Sequence, residues 1–204
     1  MDVALLLHSG WLLPVLALLV TLDAPFPVLP SEPLLMTASA VAIGSQDVPM
    51  TVGLLAAALA GSLAGDHLMF GLGRTSARLA KPSDGGLARW VRRNVVHRPA
   101  VTIVGARFLP AGRLLSTTAA GRYGLGIRRF SPCSLVSSAL WAGYMMAVGL
   151  LLGPLTGGDP VRGLVAGMVM ATLTGGSFAL VSRIRRNRQT KANRRESAPP
   201  VAVG

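Results

Sequence analysis

The chain reads as an all-α polytopic membrane protein, with four transmembrane helices and two oppositely inserted re-entrant helical hairpins forming an inverted repeat. Three observations predict this. The 204 residues are 51% hydrophobic and only 14% charged, where a soluble domain carries about 25%. The apolar residues come in uninterrupted blocks near the ~20 residues that a helix needs to cross hydrocarbon. Two further apolar pieces are broken by proline and charge, and they resemble each other.

Four blocks read as spans: residues 3–22, 51–70, 134–153 and 163–182. The first begins without a basic residue and lacks a small-residue cleavage site, so it reads as a retained span and not a signal peptide. The broken pieces are residues 26–43, containing FPVLPSEPLL, and residues 100–120, interrupted by Arg107, Pro110 and Arg113. Proline removes a helix hydrogen bond, and non-helical backbone at membrane depth survives only when buried in protein or lining a wet cavity. Both pieces are therefore read as re-entrant.

The charges support that topology. No Lys or Arg precedes Arg74, yet the chain holds 20 basic residues and a net charge of +12. If both broken pieces return to the side they entered, residues 74–99, residues 121–130 and the tail fall on one face. They carry seven, three and seven basic residues, while the opposite face receives Arg162 alone. The positive-inside rule makes the basic face cytoplasmic, with both termini on it. Residues 183–204 read as a basic, disordered cytoplasmic tail held near anionic headgroups. Because the basic residues flank apolar runs without aromatic interleaving, they do not argue for nucleic acid.

A repeat relates the two broken pieces. LPSEPLLMTA (Leu29–Ala38) aligns with LPAGRLLSTT (Leu109–Thr118), matching Pro30 to Pro110 and Leu34-Leu35 to Leu114-Leu115. AGDHLMFGLG in the second span echoes AGYMMAVGLLLG in the third. The topology makes the copies inverted, an architecture in which transporters place their substrate site where the halves meet.

The intramembrane charges divide between the copies. The first brings Asp23 and Glu32, the second Arg107 and Arg113. Each such charge costs roughly 2.5–3.5 kcal/mol on insertion scales and persists when it is paired or faces a cavity. Carboxylates beside apolar surface can exchange protons near neutral pH, which assigns proton coupling to Glu32 and Asp23. Arginine offers a permanent charge and a bidentate fork for phosphate, which suits Arg107 and Arg113 to an anionic headgroup. Asp66, near the end of the second span, is read as a supporting residue paired with Arg74 or Arg78. One cysteine, Cys133, and three scattered histidines leave no metal-ligand spacing. No cofactor is expected. Small residues such as GLVAG (163–167) permit tight helix packing within or between protomers, including a homo-oligomer.

These motifs resemble the DedA family, also called the VTT-domain or SNARE-associated Golgi protein family. The likeness runs over residues 12–182. Its acid followed by a P-G/S-E/D element looks like Asp23 and Pro30-Ser31-Glu32. Its G-D-x-x-x-Y-x-x-G-R looks like Gly65-Asp66 through Gly73-Arg74, and its R-F-x-P-x-x-R like Arg107-Phe108 through Pro110 to Arg113. Ala120-Gly121 with Phe130, then Trp141 and Tyr144, are similar too. Asp23 stands where the family usually has Glu, Phe70 where it has Tyr, Ala77 where it has Gly, and Thr117-Thr118 where a Pro is common. The resemblance implies a bacterial inner-membrane protein that moves lipid, such as phospholipid or undecaprenyl phosphate, coupled to protons. A lipid-phosphate-modifying enzyme is a second reading. It lacks a base beside the nearby hydroxyls Ser31, Ser116, Thr117 and Thr118. A non-transporting assembly factor, with Glu32 and Arg113 as a structural pair, is a third.

Overall fold

The computed structural model describes residues 9–26, 29–79, 86–107 and 111–156, and among them all regular structure is helical. In chain order the helices are α1 (Leu12–Leu22), α2 (Ser31–Gly44), α3 (Val48–Leu79), α4 (Gly86–His97), α5 (Pro99–Arg107), α6 (Gly112–Arg122) and α7 (Ile127–Thr156). Two described helices are long and apolar enough to cross a membrane, α3 with 32 residues and α7 over Ile127–Leu151. They contain the expected spans 51–70 and 134–153. The expected span 163–182, the tail 183–204 and residues 3–8 lie outside the described residues.

The backbone repeats. Each half is a short helix, a break, a second short helix, a tight turn and a long helix: α1–α2–α3, then α5–α6–α7. The tight turns match bond for bond. After α2, the Asp47 amide donates to Ala42 and the Gln46 amide to Ile43; after α6, Leu125 donates to Ala120 and Gly124 to Gly121. Each is a Schellman stop with a left-handed residue, Gln46 (φ 57°) and Gly124 (φ 76°). At the next helix start, the Met50 amide donates to the Asp47 carboxylate, 2.9 Å, capping α3.

Contacts between helices fix their directions. Along α3 and α7 the pairs are Ser62 with Ser138, Asp66 with Ser134, His67 with Ser131 and Phe70 with Phe130. One number rises as the other falls, so these corresponding helices of the two halves are antiparallel and the repeat is inverted. The second short helix of each half lies parallel to the long helix of the other. Glu32 and Met36 of α2 meet Trp141 and Gly149 of α7. Arg113, Thr118 and Arg122 of α6 meet Asp66, Gly73 and Ser76 of α3.

Glycine permits this closeness. A Cβ on Gly61 would strike the Ala17 carbonyl, one on Gly73 the Thr118 carbonyl, and one on Gly149 the Met36 carbonyl. The Thr21 hydroxyl exploits the gap between α1 and α3, donating to the Gly61 carbonyl at 3.1 Å. Backbone contact of this kind is how small residues hold membrane helices together where the hydrophobic effect between them is weak.

One expected feature differs. A complete span at 3–22 followed by a hairpin inside 26–43 requires α1 and α3 to run oppositely. Leu13 instead lies by Gly53, Ala17 by Gly61 and Ala24 by Gly65, so α1 and α3 run the same way. The glycine face of α3 accepts α1 along its length, and the bend falls between Asp23 and Pro30. The first hairpin is therefore α1–α2, the counterpart of α5–α6. The basic stretch 74–99 also differs from a plain loop, since it contains the end of α3 and the amphipathic α4.

Candidate functional site

The two breaks point their flanking charges at one place in the protein. Asp66, on α3, is fully buried at its centre. Arg113 Nε donates to Asp66 Oδ1 at 2.7 Å, Arg107 Nη1 to Oδ2 at 3.1 Å, and the Ser134 hydroxyl to Oδ2 at 2.7 Å. Arg113 spreads its remaining donors over the Ser62 carbonyl at 3.1 Å and the Val20 carbonyl at 3.3 Å. Its Nη1 also lies 3.5 Å from the Asp23 carboxylate. Arg107 Nη2 donates to the Ser62 hydroxyl, which pairs with Ser138 at 2.8 Å.

Helix ends place each of these groups. Asp23 caps the C-terminus of α1, Arg107 closes α5, and Arg113 stands in the first turn of α6. Ala111 immediately before that turn holds a left-handed conformation, φ 56°. This costs a residue with a Cβ about 1–2 kcal/mol. Gly65 is a spacer: a Cβ there would lie 2.8 Å from Arg113 Nη2, Ala24 Cβ and the Thr21 carbonyl alike. Only glycine lets the guanidinium reach past α3 to Asp66.

Trp141 joins the halves by a second route. Its indole N–H donates to Glu32 Oε1 at 3.3 Å, and its ring lies 5.2 Å from the Arg107 guanidinium carbon, within range of a cation–π contact. Arg107 Nε is buried without a partner among the described residues. Burying a donor unpaired costs about 1–3 kcal/mol.

The expected site residues are thus partly regrouped. Asp23, Arg107 and Arg113 come together as the sequence suggested. Asp66 is the hub and not a partner of Arg74, which is exposed further along α3. Glu32 faces Trp141 instead of Arg113. Pro30 sits at the N-terminus of α2, ending the first break; Pro110 lies outside the described residues. Sequence reasoning missed Ser62, Ser134 and Ser138. A signal existed: Ser62 is one turn from Asp66, and Ser134, Ser138 and Trp141 recur at helical spacing on one face of an apolar segment.

His67 is bound locally. Its Nδ1–H donates to the Leu63 carbonyl at 2.8 Å, so Nε2 accepts from Ser131 at 2.9 Å. The hydroxyls of Ser116 and Thr117 turn back to the Arg113 carbonyl.

The all-helical architecture, with two helices long and apolar enough to cross a membrane around buried carboxylates and arginines, is that of a helical membrane protein. Comparison of the sequence with family models places a VTT domain over residues 29–151, more than half of the chain. The protein belongs to that family, the DedA or SNARE-associated Golgi protein family. No curated protein and no solved structure matched. The matched region includes Glu32, Asp66, Arg107, Arg113 and Trp141 and begins after Asp23.

Proposed function

We propose that this protein moves a phosphate-bearing lipid, phospholipid or polyprenyl phosphate such as undecaprenyl phosphate, across a bacterial cytoplasmic membrane. The observation that carries the reading is the acid–base cluster around Asp66 at the junction of two inverted halves. Three carboxylates (Asp23, Glu32, Asp66) face two guanidinia (Arg107, Arg113). Fully ionised, the group carries a net charge of −1, and one proton neutralises it. A phosphate on the arginines would compete with Asp66 for the same donors. Proton uptake and headgroup capture are then alternative ways of balancing the same charge, which is a physical basis for proton coupling.

In the proposed layout α3 and α7 cross the membrane and α1–α2 and α5–α6 are re-entrant hairpins entering from opposite faces. Residues 163–182 add a further crossing, and the tail is cytoplasmic. The parallel run of α1 and α3 puts residue 9 on the same face as the α2–α3 turn. In a Cys133→Ala background, Ser9→Cys and Gln46→Cys are expected to react with an impermeant maleimide from one side, the non-cytoplasmic one. Labelling from opposite sides refutes this layout and restores the full first span.

Transport is tested by reconstituting the protein in vesicles with labelled phospholipid and labelled polyprenyl phosphate. Faster transbilayer movement than in empty vesicles is expected for at least one lipid, and Arg107→Gln should abolish it. Movement equal to empty vesicles for both lipids rejects the reading. An enzyme acting on lipid phosphate would need a nucleophile beside the arginines. The Ser116 and Thr117 hydroxyls are committed to the Arg113 carbonyl, and those of Ser31 and Thr118 are buried with no hydrogen-bonded base among the described residues, so the translocator is the better reading.

A further inference from the structure

A second cationic feature lies away from the buried cluster, at the elbow between α4 and α5. α4 is amphipathic: Val95 is fully buried and Val91 partly so, in a cluster with Ile103, Ala119 and Phe130. Arg89, Arg92, Arg93 and His97 are exposed. The helix ends at His97, and Pro99 opens α5 after the single exposed residue Arg98. The Thr102 hydroxyl donates to the Asn94 carbonyl at 3.0 Å and the Arg98 carbonyl at 2.9 Å. These bonds stitch the last turn of one helix to the first turn of the next and hold the bend.

In the bend is an open groove of about 390 Å³ lined by Arg93, Asn94, His97 and Arg98. That volume falls within the roughly 300–1,000 Å³ of small-ligand clefts. No ion pair among the described residues involves Arg93 or Arg98. Arg93 near the end of α4 and Arg98 in the link to α5, with no carboxylate among the described residues that line the groove, suit the oxygens of a phosphate ester. Val101, 72% exposed, and exposed Ala100 flank Arg98 on α5. This apolar rim suits a phosphate that carries acyl chains more than a free anion. Arg107 is nine residues further on, about 13 Å along the helix, so the groove is separate from the buried arginines.

We propose that the α4–α5 elbow is a binding site for the phosphate of an anionic lipid headgroup, distinct from the Asp66 cluster. It does not depend on whether the protein transports lipid.

Full-length protein in nonionic detergent is titrated with phosphatidylglycerol, with phosphatidylcholine of the same chain length, and with inorganic phosphate. Lipid adducts are counted by native mass spectrometry. Phosphatidylglycerol should bind more tightly than phosphatidylcholine, and millimolar phosphate should compete only weakly. Arg93→Gln with Arg98→Gln should weaken phosphatidylglycerol binding at least about tenfold, since each surface arginine contributes roughly fivefold. Arg128→Gln with Arg129→Gln removes the same charge from exposed positions outside the groove and should leave binding within about twofold. Equal loss in both double variants would mean diffuse charge attraction and overturn the site. Inorganic phosphate displacing phosphatidylglycerol at equal concentration would overturn a lipid ligand in favour of a free anion.

Discussion

The two halves share a backbone and divide the chemistry. The first supplies the carboxylates Asp23, Glu32 and Asp66, while the second supplies Arg107, Arg113, the serines of α7 and Trp141. The Schellman stops, the breaks and the glycine contacts recur in both. The symmetry therefore resides in what the main chain must do, and the asymmetry in what the side chains must bind. Opposite charges on the two sides make the junction an ion-paired contact between the halves.

The largest effect should come from breaking the junction at its hub. Asp66→Asn leaves two buried guanidinia facing a neutral amide. Losing one partner of a buried pair costs on the order of 3–5 kcal/mol. Thermal unfolding in detergent should show a large drop. Arg107→Gln in the same chain should recover part of it, because it removes one of the stranded charges. An Asp66→Asn protein as stable as the parent would show that the cluster does not hold the halves together.

A second test compares the two symmetric backbone contacts. Gly73→Ala drives a methyl into the Thr118 carbonyl between α3 and α6, and Gly149→Ala does the same to Met36 between α7 and α2. Overpacking costs about 1–3 kcal/mol. The repeat predicts similar losses at the two sites, measured as unfolding temperatures. A loss confined to Gly73→Ala would mean that only one half is closely packed.

The helical class and the two long apolar helices α3 and α7 were legible in the sequence. The offset between LPSEPLL and LPAGRLL located both breaks because proline and charge interrupt apolar runs visibly. Sequence also separated acids from bases correctly. It did not reveal that α1 belongs to the first hairpin: eleven apolar residues read the same whether they end a span or form one arm of a bend. Only the spacing of Gly53, Gly61 and Gly65 hinted at a helix lying along α3. Asp66 was misplaced for a related reason. Counting along one helix offers Arg74 and Arg78 as neighbours, whereas Arg107 and Arg113 are distant in sequence and reach Asp66 because Gly65 lets Arg113 pass.

Trp141 tests how the second route between the halves compares with the first. Trp141→Phe keeps a ring near Arg107 and removes the donor to Glu32. Stability should fall by about 1 kcal/mol, the usual net worth of one hydrogen bond. Transport should fall further than stability if Glu32 acts in the cycle. Equal transport rates would confine Trp141 to packing.

The smallest expected effect lies in the matched turns, at the left-handed position of each half. Gln46 and Gly124 occupy the same left-handed position, but only Gly124 does so without a Cβ. Relieving that conflict in the first half, Gln46→Gly should stabilise the protein by up to about 1 kcal/mol. Imposing it on the second, Gly124→Ala should destabilise by a similar amount, since a Cβ there meets no neighbouring atom and only the backbone term changes. The pair of opposite shifts in unfolding temperature is the signature of one turn used twice. If both substitutions destabilise, the Gln46 side chain contributes something that its counterpart lacks, and the turns are alike in shape alone.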